Sequence, residues 1–343
     1  MKLRALLFPS CLALSTMLAA CSGAPSESTG DQESASTADG GDAGFETGVR
    51  DAGSRGDAAA DANADGGGAS CTNIAPGPLP PQSLGQLFSG SEDFAFDGQG
   101  NIAAKRGSAL MLVNANGSTN LASLPGQVYG LRYQPNGNLV AAIPGAGKLV
   151  TITPTGQVSD LLTGLGTPNG VYVDFDSNVW ITEFSGNKVS RLSANGTKSV
   201  IVSGTMSAQA ANGVVLDAAK KLLFYTEYSK GKIDRIAIDS PGAAPVLVAT
   251  IPGAALDGIV LDACGNVYAV DQGSSRLYRV RIAANGSASA EPELLATFPT
   301  NVANAQFGSG DGFDPKKLYV TGNPGTLYAL DVGVAGAPVP KPE

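Results

Sequence analysis

Between residues 88 and 335 one unit recurs six times: a polar residue, usually followed by Gly, then an apolar strand, a turn that often holds Gly-Asn, and a second strand. The clearest starts are Glu92-Asp93-Phe94-Ala95-Phe96-Asp97, Tyr129-Gly130-Leu131-Arg132-Tyr133, Asn169-Gly170-Val171-Tyr172-Val173-Asp174, Asn212-Gly213-Val214-Val215-Leu216-Asp217 and Asp257-Gly258-Ile259-Val260-Leu261-Asp262. A looser sixth is Asn304-Ala305-Gln306-Phe307-Gly308, and successive first residues are 37, 40, 43, 45 and 47 apart. Periods in this range, with several short strands in each, predict the blades of a β-propeller. Within the third unit the pattern predicts strands at 171–174, 178–183, 188–192 and 198–202, separated by Gly-, Asn- and Ser-bearing turns. No stretch keeps a helical apolar period. One blade cannot cover its own faces, so a ring must close to bury a common core. A β-sandwich is the rival all-β architecture, and six units at this spacing argue against it. The expected fold is therefore all-β, a six-bladed propeller over 88–335 with residues 336–343 as a C-terminal tail.

The chain ahead of the repeat has a different composition. Lys2 and Arg4 precede an apolar stretch from Ala5 to Leu18, too short for a spanning helix and suited to an export signal over 1–20. Leu18-Ala19-Ala20-Cys21 resembles the lipobox of bacterial lipoproteins. That resemblance implies a lipidated Cys21 and a bacterial cell-envelope location in which the lipid anchor alone contacts the membrane. Ser22, rather than Asp, further implies outer-membrane sorting. An ordinary signal peptide with an incidental Cys21 is the plainer alternative. Residues 21–75 read as a disordered acidic tether of Gly, Ala, Ser and Asp. From Ser22 to Ser70 there are ten acids against two bases, while Cys71 to Glu343 is nearly balanced, with 20 against 18. The folded part therefore lacks the basic face that a nucleic-acid partner wants. With Cys11 in the signal, Cys71 and Cys264 are either disulfide partners in an oxidising compartment or two free thiols.

The chain contains no histidine. That excludes Ser/His/Asp and Cys/His nucleophile machinery and imidazole zinc sites. In a propeller the first strand of each blade lines the central channel, so the residue before it stands at one channel mouth. Here those residues are Glu92, Tyr129, Asn169, Asn212, Asp257 and Asn304. Glu92, Asn169, Asn212 and Asp257 offer two carboxylates and two amide oxygens, a hard set that suits Ca²⁺, with Mg²⁺ or Mn²⁺ as alternatives. The competing reading is that Asn-Gly and Asp-Gly merely form tight turns.

Thr167-Pro168-Asn169-Gly170, Ala211-Asn212-Gly213-Val214-Val215-Leu216-Asp217 and Leu256-Asp257-Gly258-Ile259-Val260-Leu261-Asp262 resemble the regucalcin/gluconolactonase (senescence-marker-protein-type) family, as do residues 317–322 and 326–333. The similarity spans most of residues 88–335 and is specific only as an ordered set. It implies a six-bladed propeller with one divalent cation on its axis and hydrolysis of lactones or related esters. It places the metal ligands on Glu92, Asn169, Asn212 and Asp257, with Asp257 also the general base. The chain departs from the family pattern where Asp93-Phe94 stands in place of Gly-Pro, and where Thr167 stands in place of an Arg.

Glu183, Glu227 and Asp271 follow Asn169, Asn212 and Asp257 by 14, 15 and 14 residues, one strand out and one strand back. They are expected at the rim of the site or behind its ligands, or else satisfying loop amides. Trp180 and most Tyr and Phe residues fall at strand positions and read as blade packing. Two functions follow: a metal-dependent lactone or ester hydrolase, or a non-catalytic propeller of the NHL-repeat kind that binds a ligand or a protein. Nothing in the sequence sets an oligomeric state.

Overall fold

The computed structural model describes residues 71, 74–240 and 242–342, so the expected signal peptide, Cys21 and most of the tether lie outside the described residues. The described chain forms six four-stranded antiparallel sheets. Their inner strands are Ala95–Phe96, Leu131–Tyr133, Pro168–Val173, Ala211–Asp217, Leu256–Leu261 and Asn304–Phe307. Among the described residues the only helical segments are two short 3₁₀ turns, Pro144–Ala146 and Tyr228–Lys230.

Burial grades outward across each blade. The second strands Leu139–Ile143, Val179–Glu183 and Leu222–Glu227 are buried throughout, whereas outer strands such as Gly117–Ser123 are mostly exposed. A strand covered on both faces loses its polar alternation, which is why these second strands read as continuous apolar runs. Trp180 packs fully buried among them, its indole N–H donating to Asp174 at 2.9 Å.

The hairpin turns have a local cause. Asp97, Asp174 and Asp262, each at or just past the end of an inner strand, accept the backbone N–H of Asn101, Asn178 and Asn266 at 2.9, 2.8 and 2.8 Å. The same Asn side chains donate back to the carboxylates. Short polar side chains that bond their own turn make the reversal cheap wherever this five-residue pattern recurs.

Ring closure differs from the repeat-based boundary. The outer strand of the last blade is Gln82–Gln86, pairing Gln82 with Ala329 and Ser83 with Tyr328. The ring thus begins ahead of residue 88. All five residues of that strand are exposed, so it carries no apolar alternation from which a strand could be read. The segment before it also docks. Ile74 is buried, Arg279 donates to the Ala75 carbonyl at 2.9 Å, and Leu79 N–H donates to Leu295 O at 2.6 Å. Cys71 and Cys264 are joined by a disulfide with their Cα atoms 5.7 Å apart. Cys71, Ile74 and Ala75, which fall within the 21–75 expected for the tether, are thus tied to the ring. The expected C-terminal tail, residues 336–343, lies against the ring: Ala337 N–H donates to Leu261 O at 3.0 Å.

Candidate functional site

All inner strands start at the same end of the channel, and consecutive blades meet there backbone to backbone. A Cβ on Gly170 would collide with the carbonyl oxygen of Asn212, and one on Gly213 with that of Asp257. Neither glycine is in the left-handed region. Gly follows Asn169 and Asn212 because the next blade approaches too closely for a side chain, and the tight-turn reading of these Asn-Gly pairs fails.

Two threonines, not singled out from the sequence, hold this contact. Thr226 Oγ1 accepts from Gly213 N–H at 2.7 Å and donates to Asp257 O at 2.8 Å. Thr182 Oγ1 likewise accepts from Gly170 N–H at 2.7 Å and donates to Asn212 O. Both side chains are fully buried. Each hydroxyl ties the residue after one candidate ligand to the backbone of the next. The fifth blade carries Val270 at this position, and there Gly258 N–H donates directly to Ala303 O at 2.8 Å. Thr226→Val should cost about 1–3 kcal/mol in denaturant unfolding, since it strands a buried donor and a buried acceptor. A loss within error of zero would show that the contact does not need the hydroxyl.

Asn169, Asn212 and Asp257 are thus set on three consecutive inner strands at one level, all nearly inaccessible. Asn169 Oδ1, Asn212 Oδ1 and Asp257 Oδ1 are buried without any hydrogen-bond partner. Buried acceptors are normally satisfied, so three orphaned oxygens in one ring position are a strong signal for a cation. Glu92 stands beside them on the first blade, held by its N–H to Val128 O at 2.9 Å. Burial pushes Asp257 well above the usual carboxylate range, and the charges of Glu92 and Asp93 push it further, against a hydrogen bond from Asn212. Burial likewise raises Glu92 to about 7, opposed by a hydrogen bond with Gln272 and reinforced by Asp93. Without a counter-charge both carboxylates resist ionisation. Among the described residues no three or more acidic or thiol side chains gather for a metal, so a cation here depends on the two amides as well. The donor chemistry and the orphaned oxygens fit a hard divalent ion. Asn304 does not join the set: its Oδ1 packs against Gly258.

The walls come from a position the repeat could have revealed. Phe184, Tyr228 and Gln272 each directly follow Glu183, Glu227 and Asp271. Tyr228 O–H donates to Gln272 Oε1 at 2.8 Å, and its ring meets Phe184 edge-on at 5.7 Å. Burial and the charges of Glu92 and Asp257 raise the proton affinity of the Tyr129 hydroxyl, so this ring also faces the acidic pair.

Glu183, Glu227 and Asp271 are paired in register with Pro168, Ala211 and Leu256, each one residue before a candidate ligand. Their carboxylates fasten loops. Glu183 accepts from Gly166 N–H at 3.0 Å, Ser190 Oγ at 2.8 Å and Lys198 Nζ at 2.9 Å. Burial alone would raise it, and these partners together hold it below its ordinary value. Asp271 accepts from Ala255 N–H at 2.9 Å. Glu227 pairs with Lys230 at 2.7 Å and faces Asp234, which burial and the neighbouring Glu227 raise to about 7. Asp93, at a position where the chain leaves the family pattern, is buried and stitches three blades together. It pairs with Arg132, accepts from Leu131 N–H at 3.0 Å and from Phe94 N–H at 2.9 Å, and contacts Gln306.

No family model matches the chain, and no curated relative does. Solved structures do. A gluconolactonase from Xanthomonas campestris superposes with a TM-score of 0.60 at 17% identity, covering 76% of this chain and 99% of its own. A calcium-binding regucalcin from Agrobacterium tumefaciens gives 0.61 at 17%, covering 78% and 99%. A virginiamycin B lyase from Staphylococcus aureus gives 0.54 at 16%, covering 69% and 79%. The chain is a six-bladed β-propeller with the fold of the gluconolactonase and regucalcin structures.

Proposed function

We propose that the channel mouth is a divalent-cation-dependent hydrolase site for lactones or related esters, with Glu92, Asn169, Asn212 and Asp257 holding the cation. One observation carries this reading: three buried oxygens on successive inner strands lack any donor, and a fourth ligand, Glu92, is close enough to perturb Asp257. A bound Ca²⁺ would supply a Lewis acid for a carbonyl oxygen. Asp257, the more deeply buried of the two carboxylates, takes the proton from the attacking water through the carboxylate oxygen that does not hold the cation. Gln272 steadies Glu92 and is itself held by Tyr228. The rings of Tyr129, Tyr228 and Phe184 offer apolar surface to the carbon skeleton of a substrate and exclude water from one side. The fold shared with a gluconolactonase supports the substrate class.

The test is metal content of the purified protein, followed by a panel of lactones and aryl esters with calcium or with chelator. About one calcium per chain and hydrolysis abolished by chelator are expected. Bound calcium without turnover of any ester would instead favour a non-catalytic binding propeller, and absence of bound divalent metal would overturn the site itself.

A further inference from the structure

The rim of the four-oxygen mouth is uneven. Four blades turn from their second strand to their third in four residues: Ile143 pairs with Lys148, Glu183 with Lys188, Glu227 with Lys232 and Asp271 with Arg276. The first residues of these turns are Pro144, Phe184, Tyr228 and Gln272. The first blade turns in two residues, Gly107 and Ser108, because Arg106 pairs with Ala109. On the sixth blade the turn is pinned down: Leu87 N–H and Phe88 N–H both donate to Gly325 O, at 2.9 and 3.1 Å. At this turn position aromatic rings therefore stand on the third and fourth blades, and the rim is low across the ring from them.

Phe184 and Tyr228 are half-buried, so ring surface stays open at the mouth. The two rings brace each other edge-on, an arrangement that fixes both planes. The polar groups around them are already spent. Tyr228 gives its hydroxyl to Gln272. Thr167 accepts Phe184 N–H through its carbonyl at 3.0 Å, and its hydroxyl lies 2.7 Å from that of Ser185. Lys198 is paired with Glu183, and Lys230 with Glu227 and with the Thr205 carbonyl at 2.9 Å. A hydroxyl-rich or anionic group laid against this side would give up its hydration and find no free partner there. A flat apolar group would bury surface against two fixed rings.

We propose that Phe184 and Tyr228 are specificity-determining residues. They select lactones and esters that carry a flat apolar ring beside the carbonyl, and they seat that ring over the third and fourth blades. This assignment rests on the hydrolase reading above, with the carbonyl at the four oxygen ligands. The low rim over the first and sixth blades leaves the opposite side of the substrate uncovered.

The experiment compares 3-isochromanone with δ-valerolactone, two six-membered lactones with alkoxide leaving groups that differ by a fused benzene ring. In calcium-loaded protein kcat/KM should favour 3-isochromanone at least about tenfold, mainly through KM, and glucono-δ-lactone should do no better than δ-valerolactone. Phe184→Ala should cut the ratio between the first two about threefold to tenfold. Tyr228→Phe, which keeps the ring and drops only its hydroxyl, should hold the ratio within about twofold. If Phe184→Ala does not fold, Phe184→Leu keeps apolar bulk without flatness and should lose at least about twofold of the ratio. Binding of the matching lactams, 1,4-dihydro-3(2H)-isoquinolinone and δ-valerolactam, is followed by ligand-observed magnetic resonance and reads the same preference without turnover. Equal kcat/KM for the two lactones, or a preference that Phe184→Ala leaves intact, overturns the proposal. If no lactone is hydrolysed, the hydrolase reading fails and the lactams still decide the rings: a bicyclic preference lost in Phe184→Ala upholds their role in selection, and equal lactam affinities overturn it.

Discussion

Asp257→Asn should lower lactone turnover by at least about a hundredfold, the lower end of what a positioned general base contributes, and should do so without unfolding the ring. The amide has the same shape, keeps an oxygen at the orphaned position, and leaves the backbone bond from Thr226 untouched, because that bond is to the main-chain carbonyl. What it removes is a buried charge that Glu92 and Asp93 already oppose. The chelated variant is therefore expected to be as stable as the parent at pH 8 or more so, while its stabilisation by calcium falls sharply. A residue with only a structural role would lose stability and activity together. Retention of more than a tenth of parental turnover would remove Asp257 from the chemistry.

The second large effect is on pH and calcium together. Glu92 is raised to about 7, and Asp257 is raised well above its ordinary value. Both therefore hold protons in the native state that they release in the unfolded chain. Their contribution to stability is fully present below the unfolded carboxylate range and is lost as pH climbs through the native value. For Glu92 alone this amounts to about 3 kcal/mol by pH 8. Chelated protein should consequently lose stability between pH 5 and pH 8. Calcium at about a hundred times its dissociation constant should restore about 2.7 kcal/mol, more effectively at pH 8 than at pH 5 because binding must displace the protons. Asp234 is also raised to about 7 and contributes a slope of the same sign, so Glu92→Gln is the control that isolates the mouth. Glu183 and Glu293, both held below their ordinary values, act in the opposite sense and only at lower pH. A chelated protein with level stability over this interval, or equal calcium stabilisation at the two pH values, would contradict the acidic-pair account.

Much of this architecture was legible before any coordinates. The steps between first residues counted the blades, and the recurring Gly- and Asn-bearing turns marked the hairpins. Both are local, repeated patterns, and a periodic chain displays them in its own order. Strand Gln82–Gln86 was not legible, because an exposed edge that completes another blade needs no apolar code. Thr182 and Thr226 left a faint trace as Thr-Glu pairs in two blades, but their partners lie across a blade boundary. Likewise Asp93 meets Arg132 and Gln306 only after three blades come together.

By itself the sequence determined the number of blades, the absence of imidazole chemistry and the residue types at each channel entrance. Tertiary structure decided which of those residues face one another. It left Asn169, Asn212 and Asp257 without donors while turning Asn304 aside, it joined Cys71 to Cys264, and it laid the C-terminal segment against the ring. The physical reason is that strand and turn preferences act over a few residues, whereas orphaned oxygens, ion pairs and cavities exist only where segments distant in sequence close on one another.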